Sequence, residues 1–409
     1  MRHLILGSGI AGLQAGRAIR SAQPEAAITM LGREADPPYA RPMISHLLEG
    51  AVEPSHLHLG LPPEVRLISE EEAIAVDAAD KTVTTLQGRK LAYDRLLVAT
   101  GADPRGIRAE NADLDNIHFM RTKAQVRDML QELTQSRRAL VLGGGLVGFK
   151  AAYAFLRQGL EVTMLIRSEY PLSQQVDPVT GSLIRDKLEE NGLNVLVGRD
   201  VARFDDDGSG RVRRAELTDG SVLDCEVAVI GKGVLPAAGF LQGSGVDVDL
   251  GVLVDEGMCT SARDVFAAGD VAEHYDLARD KRWVNAIWPE AADQGRIAGV
   301  NMAGVPARYP GSLSRNTIRI FDMDLTTCGL VNPPPETGYE ILEDGEAKKN
   351  TFRRLVFSGD RLVGVACVNR IENAGVLRAL IASRAPVPCA REDLLRSDIQ
   401  PGGIFPFFQ

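Results

Sequence analysis

Two glycine clusters carry the chemistry this sequence offers: Gly7-Ser8-Gly9-Ile10-Ala11-Gly12 and Gly143-Gly144-Gly145-Leu146-Val147-Gly148. Both have the spacing GxGxxG. In that spacing the first glycine makes a tight turn and the second lets the backbone approach a pyrophosphate. The third lets a helix pack closely on a sheet. A helix that starts at the cluster aims unpaired N–H groups and a partial positive charge at the phosphates. The implied chemistry is binding of two dinucleotides. Two such sites in one chain suggest a relay of reducing equivalents.

Each cluster has the elements it needs. His3-Leu4-Ile5-Leu6 reads as a strand before the first cluster, residues 13–21 as a helix after it, and Ala27-Ile28-Thr29-Met30-Leu31 as the next strand. Ala139-Leu140-Val141-Leu142 leads into the second cluster, a helix follows over residues 149–158 and is closed by Gly159, and residues 161–166 return as a strand. Strand, glycine turn, helix, strand is the context that makes the spacing meaningful. Farther on, residues 352–368 read as two strands around Ser358-Gly359-Asp360, followed by a helix over residues 373–383. The fold class expected is α/β, with two Rossmann-like dinucleotide-binding domains and a smaller C-terminal α+β domain.

Composition narrows the function classes. The chain has 409 residues, 44% hydrophobic and 25% charged, as in an ordinary globular protein of two to three domains. A net charge of −9 argues against broad attraction to nucleic acid. No apolar run reaches the roughly 18 to 20 residues of a membrane span, and the N-terminus lacks a signal-peptide pattern. The expected location is cytoplasmic. Cys225, Cys259, Cys328, Cys367 and Cys389 form no CxxC, so no metal site, iron–sulfur cluster or paired thiol is expected.

The sequence resembles the flavoprotein family with two dinucleotide-binding domains, which includes disulfide reductases, ferredoxin and rubredoxin reductases and the flavin module of nitrite reductase. Four further segments carry the likeness. Leu96-Leu97-Val98-Ala99-Thr100-Gly101 is similar to the family's strand-to-turn segment beside the flavin, and residues 260–270, ending in Gly269-Asp270, to its second FAD signature. Pro38-Tyr39-Ala40-Arg41-Pro42-Met43-Ile44-Ser45-His46 and the segment from Trp288-Pro289 to Gly299 resemble the ferredoxin and rubredoxin reductase branch, within the branch that lacks a redox disulfide. The resemblance implies FAD in the first site and NAD or NADP in the second. It implies FAD contacts at Gly7, Gly9, Ile10, Ala11, Gly12, Glu34, Arg41, Pro42, Ala73, Ala99, Thr100, Gly101, Arg121, Gly269, Asp270 and Trp288. Nicotinamide contacts are implied at Gly143, Gly145, Leu146, Val147, Gly148, Arg167 and Gly231. It also implies an FAD domain over residues 1–115 and 240–308, an inserted NAD(P) domain over 116–239, and an interface domain over 309–409.

Departures from the family pattern sharpen the reading. No cysteine precedes Cys225, so a thiol relay near residues 40–50 is excluded and electrons must leave the flavin directly. The branch's lysine in the PYxRPxxSK segment is His46, and the glutamate usual after the second fingerprint is Lys150. The expectation is that Lys150 and His46 line the nicotinamide–flavin contact and tune it electrostatically, with a proton role open to the His46 imidazole. Where a carboxylate would hold the ribose of NAD, the strand ends in Ile166-Arg167-Ser168, which leaves NAD and NADP both open. In the first site Gly32 takes the usual acid position, and Glu34 is the expected ribose partner.

Three functions are compatible with these residues. The leading one passes electrons from NAD(P)H to an external redox protein of the rubredoxin or ferredoxin type. A second is the FAD subunit of a larger complex, which delivers electrons from iron–sulfur subunits to NAD. A third is a redox-sensing flavoprotein. Asp205-Asp206-Asp207-Gly208-Ser209-Gly210 reads as a turn, residues 331–338 as a rigid surface loop, and the apolar tail Ile404-Phe405-Pro406-Phe407-Phe408 as a segment that docks on its own fold or on a partner.

Overall fold

The computed structural model describes residues 1–335, 338–346 and 349–396. The apolar tail at 404–408 lies outside the described residues, as do Glu336 and Thr337 of the proline loop.

Two parallel five-stranded sheets repeat one plan. In the first, the order is Val265–Ala267, Arg95–Val98, Arg2–Leu6, Ala27–Leu31 and Val65–Ile68. In the second it is Leu193–Val197, Glu161–Ile166, Arg138–Leu142, Val227–Ile230 and Ile117–Phe119. The strand that feeds each glycine turn is the middle one. Leu4, Ile5 and Leu6, like Ala139, Leu140, Val141 and Leu142, are buried, as expected where both faces of a parallel sheet are covered.

The helices are α1 (Ile10–Ala22), α2 (Ile44–Leu48), α3 (Lys123–Leu133), α4 (Leu146–Arg157), α5 (Pro178–Glu190), α6 (Trp288–Met302) and α7 (Ala374–Ser383). Their starts follow local chemistry. Thr122 and Gln125 make a reciprocal capping box on α3, and the Asp177 carboxylate accepts the Thr180 N–H at 2.9 Å at the start of α5. Pro178 and Pro289 sit in first turns, where no N–H is needed.

Helix α6 lies on α1 with almost no space between them. A Cβ at Gly295 would fall 2.1 Å from the Ala11 carbonyl oxygen, and one at Gly299 2.5 Å from that of Ala15. Both helices therefore present their N-terminal ends to one cavity. Five antiparallel strands form the C-terminal sheet, in the order Arg315–Ile320, Met323–Gly329, Arg361–Val368, Thr351–Ser358, Tyr339–Glu346, with α7 packed on it. Its residues Ile320, Met323, Leu325, Phe352 and Val368 share a core with α2, α4 and the second parallel sheet. Arg353 is fully buried and ties residues 394–396 to the loop that holds Arg370 and Glu372. Its guanidinium donates to the carbonyls of Arg370 (2.5 Å), Glu372 (3.1 Å) and Arg396 (2.5 Å), with longer bonds to Leu394 and Leu395.

Candidate functional site: a dinucleotide cavity at the junction of the three units

At the first glycine turn the backbone is forced. Gly7 has φ +114°, and a Cβ there would lie 2.1 Å from the Ala99 carbonyl oxygen. A Cβ at Gly12 would meet the Gly7 oxygen at 2.1 Å, so Gly12 lets α1 start hard against the strand ends. Gly9 differs: it caps α1 and nothing stands within 4 Å of where its Cβ would be. That open space belongs to a cavity of about 960 Å³, ample for a large cofactor.

Gly7, Gly9, Ile10, Ala11, Glu34, Arg41, Pro42, Ala73, Ala99, Thr100, Gly101, Arg121, Gly269, Asp270 and Trp288 all line this cavity. Its polar groups are fixed in advance. Glu34 accepts from Arg41 Nη2 at 2.6 Å and from the Tyr39 hydroxyl at 2.6 Å. Arg41 Nη1 also donates to the Tyr39 oxygen at 2.9 Å and to the Arg121 carbonyl at 2.5 Å. Arg121 Nη2 lies 2.9 Å from Asp270 Oδ2, and the Gly269 N–H donates to Gln294 Oε1 at 2.9 Å. Burial pushes the Tyr39 phenol up, so it stays a proton donor to Glu34.

The second glycine turn repeats the geometry. Gly143 has φ +108° and a Cβ there would lie 2.5 Å from the Gly231 oxygen, while one at Gly148 would lie 1.9 Å from the Gly143 oxygen. Gly145 caps α4 and, like Gly9, faces open space. Gly231 is a packing position, since its Cβ would meet Gly148 N at 2.7 Å. Arg167 is exposed at the end of its strand and makes no ion pair among the described residues.

Helix α4 joins the two sites. Its Leu146, Val147 and Lys150 line the same cavity as Ser45 and Ile44 of α2. Burial holds the Lys150 ammonium below its usual value, and the nearby Glu49 carboxylate offsets part of this. His46 is not among the residues that line the cavity. Its imidazole is half-exposed and Nδ1 lies 3.3 Å from Glu49 Oε2. The acid between these two side chains is Glu49, three residues beyond His46, and the sequence alone gave no reason to single it out.

The C-terminal sheet contributes a wall, as the family resemblance implies for a third domain that covers the flavin, but its residues were not singled out from the sequence: Arg315, Asn316, Thr317 and Ile318 line the cavity beside Trp288 and Pro289. None of the lining residues is a cysteine. Burial pushes the Cys225 and Cys328 thiols up to about 12 and Cys259 up to about 11, which makes them poor nucleophiles. No cluster of potential metal ligands occurs among the described residues.

Residues 1–295 match the family model described as pyridine nucleotide-disulphide oxidoreductase. The chain belongs to that family. It is 30% identical to the epsilon subunit of NADH-dependent phenylglyoxylate dehydrogenase from Aromatoleum evansii, over 98% of this chain and 96% of that one. It is 28% identical to the ferredoxin reductase subunit of a Sphingobium 5,5'-dehydrodivanillate O-demethylase, over 92% of each chain. The fold superposes on the putidaredoxin reductase–putidaredoxin complex with a TM-score of 0.87 at 25% identity, over 96% of this chain. The site fits the family's cofactors: open glycines at two helix starts, a fixed Glu34 at the end of the second strand, and a cavity long enough to reach α4. The chain is an FAD-dependent NAD(P)H oxidoreductase.

Proposed function

We propose that the chain carries electrons between a nicotinamide cofactor and a separate redox protein of the rubredoxin or ferredoxin type, through FAD and without a thiol relay. The observation that carries this reading is the shape of the cavity. It is walled by α4 on one side and by α6 with the C-terminal sheet on another, and no cysteine lines it. When bound there, FAD accepts a hydride and releases electrons singly. The protein's own part is to hold and orient. Gly9 and α1 would take the pyrophosphate, Glu34 the adenosine ribose, and Asp270, fixed by Arg121, the ribityl chain. Lys150 would stand at the nicotinamide–flavin contact, with the Glu49 carboxylate supporting its charge and His46 set against Glu49. Five free cysteines agree with a reducing, cytoplasmic setting.

A second reading has a specific observation in its favour. Nearly full-length likeness to a dehydrogenase epsilon subunit suggests the flavin subunit of a larger complex that delivers electrons to NAD. Purification from the native source distinguishes the two: iron–sulfur subunits that co-purify in fixed ratio support the complex, and a lone chain that reduces an added ferredoxin or rubredoxin supports the free reductase. Anaerobic reduction of the bound flavin with NADH and NADPH tests the common core. If neither bleaches it, both readings fail. Comparing Arg167→Ala in the same assay tests whether Arg167 favours the 2′-phosphate of NADP.

A further inference from the structure

The cavity wall supplied by the C-terminal sheet holds a charged side chain in a built setting. Arg315 opens the strand Arg315–Ile320 and lines the cavity that Trp288 and Pro289 of α6 also line. Its Nη1 lies 3.1 Å from Glu290 Oε1, and Nη2 is 4.0 Å from Asp293 Oδ2. Glu290 is only 3% exposed. Its other oxygen accepts from the Tyr309 hydroxyl and, at 3.3 Å, from the Leu313 N–H. A carboxylate buried this far is costly unless it is fully bonded, and a glutamate in the first helical turn serves the helix dipole equally well from the surface. The network thus does more than start α6. It joins α6, the segment before the C-terminal sheet and the sheet itself, and it fixes one guanidinium at the cavity wall.

The other lining arginines differ in their commitments. Arg33 is bound to Asp103, Arg41 to Glu34 and Arg121 to Asp270, all three of which themselves line the cavity. The principal counter-charge of Arg315 is buried behind it and is not a lining residue. We propose that Arg315 is a cofactor-facing cation that stabilises the negative charge gained by the bound flavin ring on reduction, with Glu290 as its positioning residue. Fixed charges at such a site act without reorganising. The inference rests on the FAD reading above.

The test is the reduction potential of the FAD-loaded protein, measured by anaerobic equilibrium titration against a reference dye. Arg315→Gln is expected to weaken binding of reduced FAD relative to oxidised FAD by about tenfold, a shift of about 30 mV to more negative potential for a two-electron couple. Arg315→Lys is expected to keep most of the wild-type potential. Glu290→Gln retains an acceptor for Tyr309 and Leu313 but removes the anion, so it is expected to move the potential to more positive values. Opposite signs for the two substitutions are what a structural role alone would not produce. An unchanged potential in FAD-loaded Arg315→Gln, or shifts of both variants in the same direction, overturns the proposal. Should Arg315→Gln fail to fold, Glu290→Gln decides alone: a positive shift supports the proposal, and no shift or a negative one overturns it. Failure of the wild-type chain to take up FAD would instead overturn the cofactor reading on which the proposal rests.

Discussion

Gly145→Ala is expected to separate nicotinamide binding from folding. Gly145 caps α4 with φ −73° and ψ 177°, a conformation any residue adopts, and no atom lies within 4 Å of its would-be Cβ. The fold therefore loses only the difference between glycine and alanine as caps, about 0.5–1 kcal/mol. On the proposed nicotinamide site, the added methyl would stand between a pyrophosphate and the N–H groups of α4. Losing one charge-assisted hydrogen bond costs about 1.5–3 kcal/mol, or roughly 10- to 150-fold in Kd. Gly148→Ala is the contrasting control. Its Cβ would stand 1.9 Å from the Gly143 oxygen, so the backbone must shift and stability falls by about 1–3 kcal/mol. The assay combines FAD content, a urea melt, and NADH and NADPH titrations of flavin fluorescence. A folded, FAD-loaded Gly145→Ala variant that binds both nucleotides within twofold of wild type would refute the reasoning.

Other substitutions probe the rest of the molecule. Lys150→Met is expected to slow flavin reduction by NAD(P)H about tenfold or more with FAD content unchanged, as read by stopped-flow absorbance. Glu49→Gln removes the anion that supports the Lys150 ammonium, so the pH dependence of that rate should move to lower pH. His274 is buried and its imidazole is lowered to about 4, chiefly by burial and then by Arg282. The unfolded chain binds the extra proton between pH 6.5 and about 4, so this contribution is present above 6.5 and lost as pH falls through that window. It amounts to about 3 kcal/mol, and urea melts of His274→Phe should be flatter with pH there. Arg353→Leu strips the donors from up to five carbonyls and is expected to destabilise the chain by about 3–5 kcal/mol. Limited proteolysis should then cut first near residues 391–396.

The parts of this protein that sequence reasoning reached are those fixed by local backbone geometry. Gly7, Gly12, Gly143 and Gly148 are readable because each must be glycine for a contact a few residues away or at a neighbouring strand. The walls that arrive from distant chain segments were not readable. Arg315 and Thr317 reach the cavity only because the antiparallel sheet docks beside α6, and nothing in their local sequence marks them. Glu290 has the composition of an ordinary exposed first-turn acid, yet Tyr309 and Leu313 bury it. His46 shows the reverse case. Its position in a recognisable segment pointed to the cavity, but the short helix α2 turns its ring toward Glu49 and leaves Ser45 and Ile44 to face inward.

The close fit of α6 on α1 has a consequence for the order of events during synthesis. The strand Val265–Ala267 and helix α6 complete a sheet and a helix pair begun at residues 2–22, whereas every strand of the second parallel sheet lies between residues 117 and 230. A chain emerging from the ribosome can finish its nucleotide-binding insert while the flavin cavity still lacks Gly269, Asp270 and Trp288. The cavity wall is therefore complete only when α6 has returned to a partner made some 280 residues earlier. A product ending before α6 would lack Trp288 from the cavity wall and the partner on which α1 packs.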